Sequence, residues 1–205
     1  MSRIAMFYDY QDQIALRRQR MQLGGGGRIY EPLPKSKVWE FMSAIKNKFE
    51  MFTENSGTID DEVYFHFDDR FDFPDDQWNW DMVLLRSIYV QEKYRGKRLA
   101  REVLARAVAA SDETGCCILG VVRPFEMLLP DDGKEAREFF TTNDFCAYSS
   151  SIGKRARMMA RFRNAGFDQL SVADLKDCDE ETAAFVYVPA LVDEEFKERI
   201  TKRLV

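Results

Sequence analysis

Residues 80–104, WDMVLLRSIYVQEKYRGKRLAREVL, decide how the rest of the chain is read. The apolar run 82–90 has the length and composition of a buried strand. Gln91, Glu92, Lys93 and Tyr94 make a short loop, and Arg95-Gly96-Lys97-Arg98 opens a helix. The first N–H groups of a helix have no internal partner, and the peptide dipoles sum to partial positive charge there. A strand that delivers a basic, glycine-containing loop onto a helix N-terminus is therefore a physical recipe for holding phosphate. Arg95, Lys97, Arg98 and Arg101 add full charges at the same place.

Outward from this stretch, Leu99, Ala100, Val103, Leu104, Ala107 and Val108 repeat at helical spacing until Gly115. Residues 116–122 (CCILGVV) are a second continuous apolar run. Two fully apolar strands joined by a helix predict an α/β fold with parallel pairing, in a mixed sheet covered by helices on both faces. Further on, a short helix begins at 135–140, 141–153 is a polar loop, and 155–165 is helical with Met158, Met159 and Phe162 inward. Gly166 supplies a left-handed stop. Strands over 168–172 and 183–188 and an amphipathic helix over 193–204 complete the chain.

Upstream, 63–67 (VYFHF) reads as a strand. Val38, Phe41, Met42, Ile45, Phe49 and Phe52 fall on one helical face, with Ser36 as N-cap and Asn55-Ser56-Gly57 as the stop. Pro32 and Pro34 mark an extended connector, Gly24 to Gly27 a flexible loop, 11–23 a helix and 4–8 an edge strand. Residues 68–80 (DDRFDFPDDQWNW) form a long acidic loop whose spacing does not match a calcium loop. It is a solvated turn or a lure for a cationic substrate.

A chain of 205 residues suits one domain with its own core, and 45% hydrophobic with 32% charged residues is the balance of a soluble globular protein. The net charge of −5 argues against a general nucleic-acid binder, which needs surplus Lys and Arg. The four cysteines show no C-x-x-C, and His66 is the only histidine, so no zinc site is expected and the cysteines read as free thiols. Neither a signal-peptide core nor a run of membrane-spanning length is present, which places the protein in the cytoplasm away from membranes.

In order, Ile88-Tyr89-Val90, then Tyr94-Arg95-Gly96-Lys97-Arg98-Leu99-Ala100, then Arg161-Phe162-Arg163-Asn164-Ala165-Gly166-Phe167 resemble the GCN5-related N-acetyltransferase superfamily. Its [Q/R]-x-x-G-x-[G/A] signature falls on 95–100. The resemblance covers roughly 80–188 as a coenzyme-binding core, with 1–79 a variable N-terminal portion and 189–205 a C-terminal helix of the same single domain. It implies acetyl-CoA as co-substrate and acetyl transfer to an amine, small molecule or protein, with nucleic acid entering only as a tRNA-linked acceptor. It assigns the pyrophosphate to the loop Arg95, Gly96, Lys97, Arg98, Leu99, Ala100 and Arg101. The pantetheine arm runs along Ile88, Tyr89 and Val90, where a bulge splays the central strand from its neighbour and frees the backbone of Ile88 and Val90. Donors aimed at the thioester oxygen would stabilise the developing oxyanion.

Two positions depart from the family pattern. The signature's first glycine is Arg98, and the tyrosine that many members use to protonate the leaving thiolate is Phe162. The candidates for the remaining chemistry are Glu126 as base, since the resemblance puts carboxylates there facing the thioester, Tyr148 as replacement acid, and His66 or Asp81 as alternative bases. Cys116 and Cys117 lie inside an apolar run and read as packing residues. Lys154, Arg157 and Arg161 form a stripe that is a solvated face, or a contact to the adenosine 3′-phosphate or an acidic partner. Two other classes stay open, a catalytically silent acyl-CoA-binding or regulatory protein and a nucleic-acid or protein interaction module. So does oligomeric state, a homodimer included.

Overall fold

The computed structural model describes residues 36–68, 82–122, 133–142, 152–171, 183–202 and 204, all within one compact unit, Lys35–Val205. In chain order the elements are α1 (Lys37–Lys48), β1 (Glu50–Met51), β2 (Ser56–Ile59), β3 (Val63–Asp68), β4 (Met82–Val90), α2 (Leu99–Thr114), β5 (Cys117–Val122), α3 (Gly133–Thr142), α4 (Ile152–Asn164), β6 (Asp168–Leu170), β7 (Ala183–Tyr187) and α5 (Glu194–Thr201). The strands form one sheet in the order β1-β2-β3-β4-β5-β7-β6. The pair β4–β5 is parallel and the other neighbours are antiparallel, the mixed α/β sheet expected from two apolar strands joined by a helix.

Helices cover both faces, and the reason is visible in the strand alternation. Phe65, Phe67, Leu85, Ile118 and Phe185 turn to one side, where they pack with Phe41 and Ile45 of α1, Val103 and Leu104 of α2 and Phe162 of α4. Met82, Leu84, Leu119 and Val186 turn to the other side, under Val192, Phe196 and Ile200 in and before α5. Farther along that second face, Ala136 and Phe140 of α3 close over Tyr64. Among the described residues, no helix is long and apolar enough to cross a membrane, and no group of His, Cys, Asp and Glu could hold a metal ion.

Ser36 caps α1 as expected, its Oγ accepting from Trp39 N at 3.2 Å, a bond worth about 1 kcal/mol. The helix ends at Lys48, however, short of the predicted stop at 55–57. Phe49 is extended (φ −140°, ψ 156°), and 50–59 form a hairpin instead. Gly57 is the cause. It reads as a turn residue, yet it sits inside β2, where a Cβ would lie 2.5 Å from Phe65 Cζ. The ring needs that space, and it also packs 4.4 Å from Phe49.

The register of β3 on β4 carries the feature that shapes the site. His66 pairs with Ser87, but the next residue, Phe67, pairs with Leu85, so Arg86 is an extra residue and β4 bulges there. The bulge shifts the alternation by one: Leu85 before it and Ile88 after it face the same core. Beyond it β4 also leaves β5. Their pairing runs from Met82–Cys117 to Leu85–Gly120 and stops, while β5 continues along β7 to Val122. The sheet is thus forked at the central strand, as the splay expectation required.

Candidate functional site

The fork exposes backbone. Gln91 N donates to Glu62 O at 3.1 Å, and in an antiparallel ladder alternate residues turn to the partner strand. Ser87 and Tyr89 therefore address β3 with their backbone, and Ile88 and Val90 present N–H and C=O to the side that β5 has vacated. These groups have no partner among the described residues. An open edge of this kind holds an extended ligand by main-chain hydrogen bonds.

Phe162 closes the throat of the fork. Its ring stacks on Phe185 (5.3 Å, 10° between planes), meets Phe167 edge-on at 5.0 Å, and is 2% exposed. The ring tip lies on Gly120, the residue that makes the last β4–β5 pair: a Cβ there would come 2.3 Å from Cε1 and 2.7 Å from Cζ. At the fork this position carries a phenyl edge with no proton to give.

At its far end β4 runs through a single 3₁₀ turn, Glu92–Tyr94, onto the helix α2. Gly96 takes φ 98°, a backbone region that costs glycine nothing. Arg98, the N-cap of α2, also lies in the left-handed region at φ 64°, ψ 14° and makes no side-chain cap bond. That is a conformation suited to glycine, and arginine adopts it with strain. The amides of Gly96, Arg98, Leu99 and Ala100 have no partner among the described residues. Of the cations, Lys97 is drawn to Glu62 (3.4 Å) and lies over the Tyr94 ring (4.5 Å), and Arg95 is 3.8 Å from Glu92. Arg98 and Arg101 are exposed, with no acidic partner among the described residues. An anionic group docked here meets four unfilled amides and two uncommitted guanidiniums, so the residues fit the phosphate expectation.

A polar row crosses the sheet beside the bulge. Ser56 Oγ on β2 is 2.8 Å from His66 Nδ1 on β3, and Ser87 on β4 is the cross-strand neighbour of His66. Arg86, the bulge residue itself, reaches Asp68 at 3.2 Å. Behind this row α3 is clamped to the β2–β3 turn, in which Asp60 and Asp61 both take positive φ. Arg137 donates through Nε and Nη2 to Asp61 at 2.6 and 2.8 Å, and through Nη2 to Glu50 at 2.7 Å. That fork of donors holds the Asp61 carboxyl below its ordinary range. Burial, with the Asp61 charge adding to it, pushes the Tyr64 phenol well above its ordinary value. Gln91 Nε2 donates weakly to Tyr64 Oη at 3.5 Å, while Gln91 Oε1 is buried with no partner among the described residues.

The sequence candidates divide accordingly. Ile88, Val90 and the loop 95–101 come together along one edge and one helix end, whereas the Tyr89 ring packs on the second face beside Tyr64 and Phe140. Ala100 is buried and contributes backbone alone. His66 lies in the row at the bulge. Glu126, Tyr148, Asp81 and the acidic loop beyond Asp68 lie outside the described residues. Arg157 and Arg161 are exposed on α4, and Cys116 and Cys117 are buried free thiols. Ser87, Gln91 and Gly120 were not among the candidates. A lone serine inside an apolar strand and a glycine inside CCILGVV were the available signals.

No protein-family model matches this sequence, and no curated protein matches it. Among solved structures the chain is similar to the acetoin utilization protein from Exiguobacterium sibiricum 255-15, at 14% identity and a TM-score of 0.43, over 73% of this chain and 68% of that one. At that identity and score the likeness says nothing of what this chain binds or does.

Proposed function

We propose that the protein is an acetyl-CoA-dependent N-acetyltransferase acting on an amine. One observation carries the reading: the open edge of a forked β4 leads directly into a helix N-terminus with unfilled amides and uncommitted arginines. Acetyl-CoA supplies the thioester that an amine attacks. The chain's own residues supply positioning and electrostatics. The amides of 96–100 with the Arg98 and Arg101 guanidiniums hold the pyrophosphate. Ile88 and Val90 hold the pantetheine amides and offer an N–H to the thioester oxygen. In this reading His66, whose Nδ1 meets Ser56 Oγ, takes the ammonium proton, with Glu126 as the alternative. Phe162 gives no proton to the departing thiolate, so that step falls to Tyr148 or to water.

Phe162 also favours a second reading, a silent acyl-CoA binder. Titration calorimetry with acetyl-CoA should show binding, weakened at least about tenfold in an Arg98→Ala/Arg101→Ala double variant, because each lost charge-assisted bond is worth about 1.5–3 kcal/mol. Absence of binding by the native chain overturns both readings. Binding without thiol release across an amine panel selects the silent one.

A further inference from the structure

Two carboxylates stand beside the basic loop before α2, and they differ in how they are held. Glu92 lies on the 3₁₀ turn itself, three residues before Arg95, and its side chain is 76% exposed. Glu62 comes from the turn between β2 and β3, and its side chain is 22% exposed. The backbone of Glu62 is pinned on both sides: its N–H donates to Ile59 O at 2.9 Å, and its C=O accepts from Gln91 N, just past the end of β4, at 3.1 Å. A fixed, partly buried charge of this kind is screened by salt far less than one in open water. Set beside a loop suited to anions, it opposes their binding.

Lys97 explains its place. This residue stands between Gly96 and Arg98, whose amides have no partner among the described residues. Its side chain nevertheless lies toward Glu62, with Nζ 3.4 Å from Oε1 and 4.5 Å from the centre of the Tyr94 ring. Both contacts are long, and exposed pairs of this sort are worth little in water. A diphosphate resting on the amides of 96–100 offers the same ammonium two negative charges and stronger, charge-assisted hydrogen bonds. The flexible four-carbon stem of lysine lets it turn from one anion to the other.

We propose that Glu62 competes with the coenzyme diphosphate for Lys97: in the free chain the carboxylate holds the ammonium, and on binding the diphosphate takes it. This inference rests on the acetyl-CoA reading of the loop. Binding then exchanges one ion pair for another and leaves the Glu62 carboxylate without its counter-ion. The affinity is therefore lower than the cations of the loop would give by themselves. The exchange runs backwards when the thiol product leaves, because Glu62 recovers the ammonium as the diphosphate lets go. Glu62 acts through Lys97 as a positioning residue and touches neither the thioester nor the amine.

The test is titration calorimetry with acetyl-CoA on four full chains: the native one, Glu62→Gln, Lys97→Met and the double variant. Glu62→Gln should bind about threefold tighter or more, the scale of an exposed ion pair that no longer has to be broken. Lys97→Met should bind more weakly than the native chain, and in its background the gain from Glu62→Gln should shrink. Equal or weaker binding by Glu62→Gln would mean that the carboxylate braces the loop or has no part in binding, and overturns the proposal. Unchanged affinity in Lys97→Met does the same. A gain undiminished in the Lys97→Met background would make Glu62 a simple repulsive charge and also overturn it. Each of these results leaves the acetyl-CoA reading standing, since the native chain binds in all of them. No binding by the native chain overturns that reading and this inference together.

Discussion

The two halves of β4 share a strand and little else. From Met82 to Leu85 it pairs with β5, with β3 on its other edge at Leu84 and Leu85, and its side chains enter apolar clusters on both faces. From Arg86 to Val90 it has β3 on one edge alone, and its second face carries Ser87, opposite His66 of β3, and Tyr89, which packs near a helix tied down by salt bridges. One extra residue, Arg86, separates them. The closed half is built as a core, where burying each leucine-sized side chain contributes roughly 1.5–3 kcal/mol. The open half gives up one strand's worth of hydrogen bonds and keeps unfilled polar atoms, the pattern of a surface awaiting a ligand.

The sharpest way to break this contrast is Phe162→Ala, because that ring seals the closed half at the fork. Loss of a buried aromatic should cost about 3–5 kcal/mol in urea unfolding. A cost below about 1 kcal/mol would mean that the fork is held by something other than the stack on Phe185 and Gly120.

A smaller effect of opposite sign is expected in the open half. Arg98→Gly relieves a left-handed arginine and should raise stability by at most about 1 kcal/mol, the added freedom of the unfolded chain offsetting part of the gain. It should weaken acetyl-CoA binding at the same time. Stability and affinity moving together would show that Arg98 is not a coenzyme contact.

The smallest effect separates the halves by pH. Arg137 depresses the Asp61 carboxyl, so the folded state binds its proton more weakly than the unfolded chain, whose value is near 3.8. That contribution to stability is present above pH 4 and is lost as pH falls through the lower folded value. Melting temperatures between pH 7 and pH 3 should drop more for the native chain than for Arg137→Gln. Parallel curves would remove the clamp on α3 from the comparison. The closed half, held by aliphatic packing, adds no such slope.

Much of this arrangement was legible beforehand. The run 82–90, the Arg-Gly loop and the helical stripe to Gly115 were read in place, because each is a local pattern of polarity and spacing. Even the bulge left a trace, since Val83 and Leu85 change parity to Ile88 and Val90 across Arg86. The hairpin over 50–59 departs from the helical expectation at Gly57, which makes room for the Phe65 ring of the neighbouring strand, a cross-strand contact that helical periodicity does not show.

By itself, then, the sequence determined the order of elements, the α/β class and the basic, glycine-bearing entry to α2. Those follow from periodicity, helix ends and charge, which act over a few residues. Only the tertiary structure decided that Ser87 stands opposite His66, that β4 and β5 part after Leu85 and Gly120, and that Arg98 is strained while its charge stays uncommitted. Register between strands and the partners of a buried hydroxyl depend on contacts between residues some 10 to 35 positions apart. Such contacts are selected by the packing of the whole sheet.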